Sequence, residues 1–288
     1  MKKEWLHESG RPLTKDEFIE KVKIDDEFGN DYGNLGPIYG HQWRKWTVPK
    51  ISSTTLEGVI DTLIEVGNGV TEEMLKTLAT DLIKERDSNK PVDQIQKAID
   101  TLSTNPTSRR ILVNAWNVGD LDKMTLPPCH YGFELHTRPL SIDERAHIWF
   151  HKNKPNRDVV DHFDEELTLD EQHKRLDKSF IPRRALTLIW NQRSADFPLG
   201  VPFNITSYGL LLMMIADEAM MVPDQLIGYF GNCHIYENQI DGVKEQLKRK
   251  PKQLPTLHVR DGIFSAGDGD FILEGYDPHP TIKFPLTN

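Results

Sequence analysis

The residue type with the sharpest chemistry in this chain is cysteine, and Cys129 stands in an unusual setting. It follows two prolines in Leu126-Pro-Pro-Cys-His130, so the backbone approaching it is stiff. A cysteine there is either a small core hydrophobe or a nucleophile. The second role needs cationic neighbours that favour the thiolate. Arg109, Arg110 and Arg193 are the candidates. The Arg109-Arg110 pair sits directly before an apolar run, either solvated or as an anion clamp, since a planar guanidinium holds phosphate in a bidentate fork. Gln192-Arg-Ser-Ala-Asp196 and Phe197-Pro-Leu-Gly-Val-Pro-Phe-Asn204 pack Arg, Ser, Asp and Asn into one short stretch that reads as a recognition loop. Two further pairs fall short of a metal site. Cys233-His234 repeats the Cys-His dipeptide, but adjacent residues lack ligand spacing. His147 and His151 are spaced i,i+4 without a third ligand in sequence, and a solvated helix face accounts for them.

The elements that must position these groups are mixed. Amphipathic spacing predicts helices at Thr55–Ile64, Thr71–Ile83 and Val92–Leu102, the last with Ile95, Ile99 and Leu102 on one face. Thr14 and Glu17 form a capping-box pattern for a short helix before them. Apolar runs predict strands at Ile111–Trp116, Tyr131–Thr137, Ala185–Trp190 and Leu226–Phe230, with later ones at Thr256–Val259 and Phe271–Leu273. Helical periodicity marks Ile142–Lys152, Leu169–Leu176 and Ile240–Leu247. Tyr208–Met221 is apolar nearly all round, which predicts a core helix. Strands and helices do not alternate regularly, so the class is α+β. The 288 residues can bury a large core without disulfides, and two cysteines indicate a reduced, cytoplasmic protein. A net charge of −9 argues against a general affinity for DNA. No apolar run is long enough to cross a membrane. Together these features describe an enzyme or binding protein for a small anionic ligand.

At its motifs the sequence resembles the folate-dependent thymidylate synthase family. The matching stretches are Asn34-Leu-Gly-Pro-Ile-Tyr-Gly-His-Gln-Trp-Arg44, Ser108-Arg-Arg-Ile-Leu-Val-Asn-Ala-Trp-Asn117, Met124-Thr-Leu-Pro-Pro-Cys-His130, Gln192-Arg-Ser-Ala-Asp196, Leu199-Gly-Val-Pro-Phe-Asn-Ile-Thr-Ser-Tyr208, Gly231-Asn-Cys-His-Ile-Tyr236 and Gly275-Tyr-Asp-Pro-His-Pro280. They occur in family order. They cover the chain except two blocks, about 47–91 and 138–184, which the resemblance makes insertions in a single catalytic domain. The implied fold is the three-layer, mixed-sheet fold shared with dCMP hydroxymethylases.

The implied reaction is reductive methylation of dUMP to dTMP, with 5,10-methylenetetrahydrofolate giving both the one-carbon unit and the hydride, and with no metal. By the resemblance, Cys129 adds to C6 of uracil. Arg193, with Gln192 and Ser194 beside it, holds the phosphate, and Arg109 and Arg110 reach the phosphate of the other subunit of a homodimer. Asn204 reads the pyrimidine edge: its amide can donate to O4 and accept from N3–H. His234 and Tyr236 contact the deoxyribose hydroxyl. Asp196 bonds the pterin, with Leu199, Gly200 and Phe203 lining the folate pocket and Thr287 at the closing C-terminus. Tyr39 and His130 belong to the polar network around the ring.

The resemblance is incomplete at both ends. The family's N-terminal section, with a phosphate-binding Arg, a proton-organising Glu and a Trp, has no counterpart before Asn34. A truncated gene, a separately encoded N-terminal fragment or a divergent protein each accommodate this. The end Leu286-Thr-Asn288 differs from the family's small apolar close. Two alternative functions follow: a dUMP hydroxymethylase, in which water rather than hydride completes the reaction, and a non-catalytic homologue that binds nucleotide or folded RNA.

Overall fold

The computed structural model of the protein describes residues 11, 13–25, 28, 34–47, 58, 71, 73–77, 80, 91–153 and 167–286. The chain divides into two compact units: Met1–Asp93 with Ala115–Pro128, and Gln94–Asn114 with Cys129–Asn288.

In the first unit, α1 (Lys15–Ile24) starts at the expected capping box. The Thr14 hydroxyl accepts from the Glu17 N–H, and the Glu17 carboxylate accepts from the Thr14 N–H at 2.8 Å. The one-turn α2 (Gly40–Arg44) carries Gln42 inward. Its amide donates to Pro37 O at 2.8 Å and to Asp120 Oδ2 at 3.0 Å, and it accepts from Asn117. Lys123, then Gln42, hold the Asp120 carboxyl below its usual range. Of the two helices expected between residues 55 and 83, Thr55–Ile64 lies outside the described residues except Gly58. Within Thr71–Ile83, residues 73–77 and 80 are helical.

The second unit is built on a mixed four-stranded sheet in the order β1 (Leu112–Asn114), β2 (His130–Pro139), β3 (Arg184–Asp196), β4 (Val222–His234). β1–β2 and β2–β3 are antiparallel, while β3–β4 is parallel. The crossover joining the parallel pair is α6 (Gly200–Glu218). Phe133 pairs with Trp190 and Leu135 with Leu188, and these residues face the core with Tyr208, Leu212 and Ile215 of α6. The helix α3 (Gln94–Thr104) buries Ile95, Ala98, Ile99 and Leu102, the face its spacing predicts. α4 (Ile142–Asn153) and α5 (Leu169–Lys178) pair around Arg145, which is fully buried. α7 (Ile240–Leu247) and a hairpin of β5 (Thr256–Val259) with β6 (Phe271–Glu274) complete the unit.

Two sequence expectations are corrected. The stretch Gln192–Asn204 is not a loop: β3 continues to Asp196, and α6 begins at Gly200 rather than Tyr208. Pro202 sits in the helix's first turn, where its missing N–H costs no intrahelical bond. The helix is also not enclosed all round. Val201, Tyr208, Leu212, Ile215 and Ala216 are buried, while Leu210, Leu211, Met213 and Met214 are half-buried, because the sheet packs on one side only.

Candidate active site

The topology gathers four chain segments at one end of the sheet. β2 runs antiparallel to β3, so its start meets the end of β3. β4 runs parallel to β3, so its end arrives there too, and α6 leaves from the same place. Strand ends of this kind are a common place for ligands in α/β structures.

Cys129, half-buried, immediately precedes β2, and its carbonyl accepts from the Arg193 N–H at 2.8 Å. The candidate nucleophile is therefore pinned by its backbone to the arginine expected to bind phosphate. His130 pairs with Gln192 across the ladder, and Asp196 pairs with His234. Ser194 faces Asn232 in the same register. Cys233 is exposed beside His234, opposite Ala195.

A buried polar chain supports these groups. The Tyr208 hydroxyl lies 2.8 Å from His130 Nδ1. The Tyr208 ring stacks on Trp190 at 5.4 Å with a 12° interplanar angle. Trp190 donates its indole N–H to Gln192 Oε1 at 3.2 Å. Gln192, 3% exposed, donates to Ser194 O at 2.9 Å and to Asn204 Oδ1 at 3.1 Å. This last bond orients the Asn204 amide. Burial pushes His130 down to about 4, so the imidazole is neutral near pH 7.

Asp196 ends β3 with its Oδ1 accepting from the Leu199 N–H at 3.3 Å, which turns the chain into α6. Gly200 lies between two site residues. A Cβ there would fall 3.6 Å from Asp196 Cβ and 3.8 Å from Asn204 Oδ1, so the glycine keeps the notch between them open. Phe203 is 70% exposed beside that notch. On the far side, Pro198 and Pro202 border a cleft of about 580 Å³ that also meets Arg249, Lys250, Tyr276 and Phe284. His234 and Tyr236 stand edge-to-face at 4.9 Å, with His234 Nδ1 at 3.1 Å from Asn232 Oδ1.

Arg109 and Arg110 are exposed just before β1. Tyr39 belongs to the first unit, where it precedes α2 with a left-handed backbone (φ 30°) and packs edge-on against Trp43. Thr287 lies outside the described residues. The His147 and His151 rings meet edge-to-face with their Nε2 atoms 3.1 Å apart, and no group of three metal-ligating side chains occurs among the described residues. Sequence reasoning missed the roles of Tyr208 and Gln239, whose partners are distant in sequence, and of Trp190, whose apolar setting marks it as core.

The fold thus gathers a cysteine, an arginine, a carboxylate and two amide side chains at one end of a mixed sheet, the makings of an enzyme site. The sequence profile of the family described as thymidylate synthase matches residues 10–288. One relative, a thymidylate synthase of Corynebacterium aurimucosum, is 35% identical over 265 residues, covering 91% of this chain and 68% of that protein. The chain belongs to the thymidylate synthase family. It is a methyltransferase whose reaction is the conversion of dUMP to dTMP. No helix among the described residues is long and apolar enough to cross a membrane.

Proposed function

We propose that the strand-end cluster is the catalytic centre of this reaction and that Cys129 is its nucleophile. The carrying observation is the 2.8 Å bond from the Arg193 N–H to the Cys129 carbonyl, which holds the backbones of these two residues side by side at the sheet's end. In this reading Arg193 and Ser194 bind the phosphate, and Asn204 reads the uracil edge with the orientation that Gln192 imposes. His234 and Tyr236 hold the deoxyribose hydroxyl. The Cys129 sulfur bonds to C6 of uracil, and C5 gains carbanion character for attack on the one-carbon unit. His130, neutral by burial, orders the polar network beside the ring.

The notch fits a folate. Asp196 keeps lone pairs for a pterin beyond its bond to Leu199, Gly200 leaves the space, and Leu199 with exposed Phe203 supplies an apolar wall. When bound, methylenetetrahydrofolate supplies the one-carbon unit and the hydride. The open face of the sheet supports a homodimer. Leu112, Glu134, Ile189 and Ile227 form one cross-strand row there, next to Tyr229, and Leu112 and Tyr229 are 56% and 60% exposed. Arg109 and Arg110 lead into that face, consistent with a reach to the partner's phosphate.

The test is product analysis of the purified chain with dUMP and methylenetetrahydrofolate, beside Cys129→Ser. dTMP and dihydrofolate, lost in the variant, are expected. Hydroxymethyl-dUMP as product would identify the hydroxymethylase instead, and turnover by Cys129→Ser would remove Cys129 from the mechanism.

A further inference from the structure

Gln239 stands where β4 gives way to α7, and it is 1% exposed. A buried amide must satisfy two donors and one acceptor. Here all are used. Its Oε1 accepts from the Tyr236 N–H at 3.1 Å. Its Nε2 donates to Asp196 Oδ2 at 3.1 Å and to the Pro285 carbonyl at 3.2 Å. The partners dictate the amide's orientation, since the carboxylate and the carbonyl can only accept and the Tyr236 N–H can only donate.

The two acceptors belong to different parts of the site. Asp196 has one oxygen on Leu199 N–H and the other on Gln239, so both of its C–O vectors are set. Pro285 belongs to the extended segment 280–286, whose Ile282 and Phe284 pack on Gly242 of α7. A Cβ on Gly242 would fall 2.7 Å from the Phe284 ring and 3.1 Å from Ile282. One side chain therefore joins the Asp196 carboxylate to the strap that crosses α7.

We infer that Gln239 is a positioning residue for the reaction: it aims Asp196 at the folate and couples that aim to the seating of the 280–286 strap. The inference rests on the reading of Asp196 as the pterin contact. Substrate that engages Asp196 also tightens the strap, and a loosened strap leaves Asp196 misaligned.

Three variants test it. Gln239→Leu removes both donors and the acceptor of the Tyr236 backbone N–H, whereas Gln239→Glu keeps that acceptor. Gln239→Leu should raise KM for methylenetetrahydrofolate about tenfold and leave the dissociation constant for dUMP within about twofold. It should also speed tryptic cleavage after Lys283, which lies in the strap. Gln239→Glu restores a donor only when protonated. Beside Asp196 that proton is retained to higher pH than on an isolated Glu. Activity relative to the native chain should therefore climb as pH falls from about 8 to about 6. A packing role alone would give parallel pH profiles, and that result overturns the inference, as does equal loss of dUMP and folate binding. Asp196→Asn separates this from the underlying reading. If Asp196→Asn alone leaves the folate KM unchanged, the Asp196 reading fails. If it raises KM while the Gln239 variants do not, only the role of Gln239 fails. Combined with Asp196→Asn, Gln239→Leu should add less than about twofold.

Discussion

His130 and Tyr208 meet at 2.8 Å in the second unit, so the side chain next to Cys129 is held by the helix behind the sheet. The contact is more than a single bond. Tyr208 stacks on Trp190, Trp190 donates to Gln192, and Gln192 donates to Asn204. One buried path thus joins the neighbour of the nucleophile to the proposed reader of the base.

The first prediction concerns pH. His130 binds its proton with a pKa of about 4 in the folded chain, against about 6.5 when unfolded. Between those values the unfolded chain takes up a proton that the folded chain does not. Stability is therefore complete above about pH 6.5 and falls as pH drops toward about 4, by on the order of 3 kcal/mol. Urea unfolding of the native chain and of His130→Gln across this range should show the native chain losing more. Equal losses would mean that His130 is not held neutral by burial.

How much of this was legible in sequence depends on the interaction involved. Ile95, Ile99 and Leu102 announced α3 because burial repeats with the helical period. Leu186, Leu188 and Trp190 mark the middle of β3 but not its end. Gln192 and Ser194 look like loop residues, yet the backbone ladder continues beneath them to Asp196. The start of α6 was hidden by Gly200 and Pro202, residues that usually break helices. Of the proposed site, Cys129, Arg193, Asp196 and Asn204 stand out in sequence because their types carry chemistry. Tyr208 and Gln239 were silent, because their value lies in partners 78 and 43 residues away.

A second prediction follows from Gly228. It pairs with Trp190 in the β3–β4 register, and a Cβ there would fall 2.5 Å from the Trp190 ring. That ring is packed against Tyr208 and Phe230 and cannot rotate away cheaply. Gly228→Ala should cost about 1–3 kcal/mol by overpacking and should disturb His130 through Tyr208. Urea denaturation gives the first quantity. A variant as stable as the native chain would show that β4 can shift.

The third concerns Arg145, whose guanidinium is fully buried. It donates to Asp177 at 2.6 Å, to the carbonyls of Ile181 and Pro182, and to His173. No other side chain offers that fork, so Arg145→Lys should also be poor. Arg145→Ala leaves the Ile181 and Pro182 carbonyls without their donor, while Asp177 keeps Arg183, and should destabilise by about 1–3 kcal/mol. Thermal unfolding of both variants measures this. A loss below about 1 kcal/mol would mean that α4 and α5 close without the arginine.

The last concerns which base is read. Gln192 donates to Asn204 Oδ1, so the other face of that amide presents its NH2. In the proposed pose the NH2 donates to uracil O4, while Oδ1 has a lone pair left for N3–H. Asn204→Asp keeps the bond from Gln192, since a carboxylate oxygen accepts equally well. It replaces the donor with an acceptor, which repels O4 and suits the exocyclic amine of cytosine. A site built for a hydrogen bond rejects the mismatched partner strongly. The kcat/KM for dUMP should fall by about 100-fold or more, and the affinity for dCMP should rise relative to dUMP. The two affinities, measured by calorimetry on native and variant protein, decide the matter. An unchanged preference for dUMP would mean that another residue reads the base and that the bond from Gln192 to Asn204 serves only to close the first turn of α6 against β3.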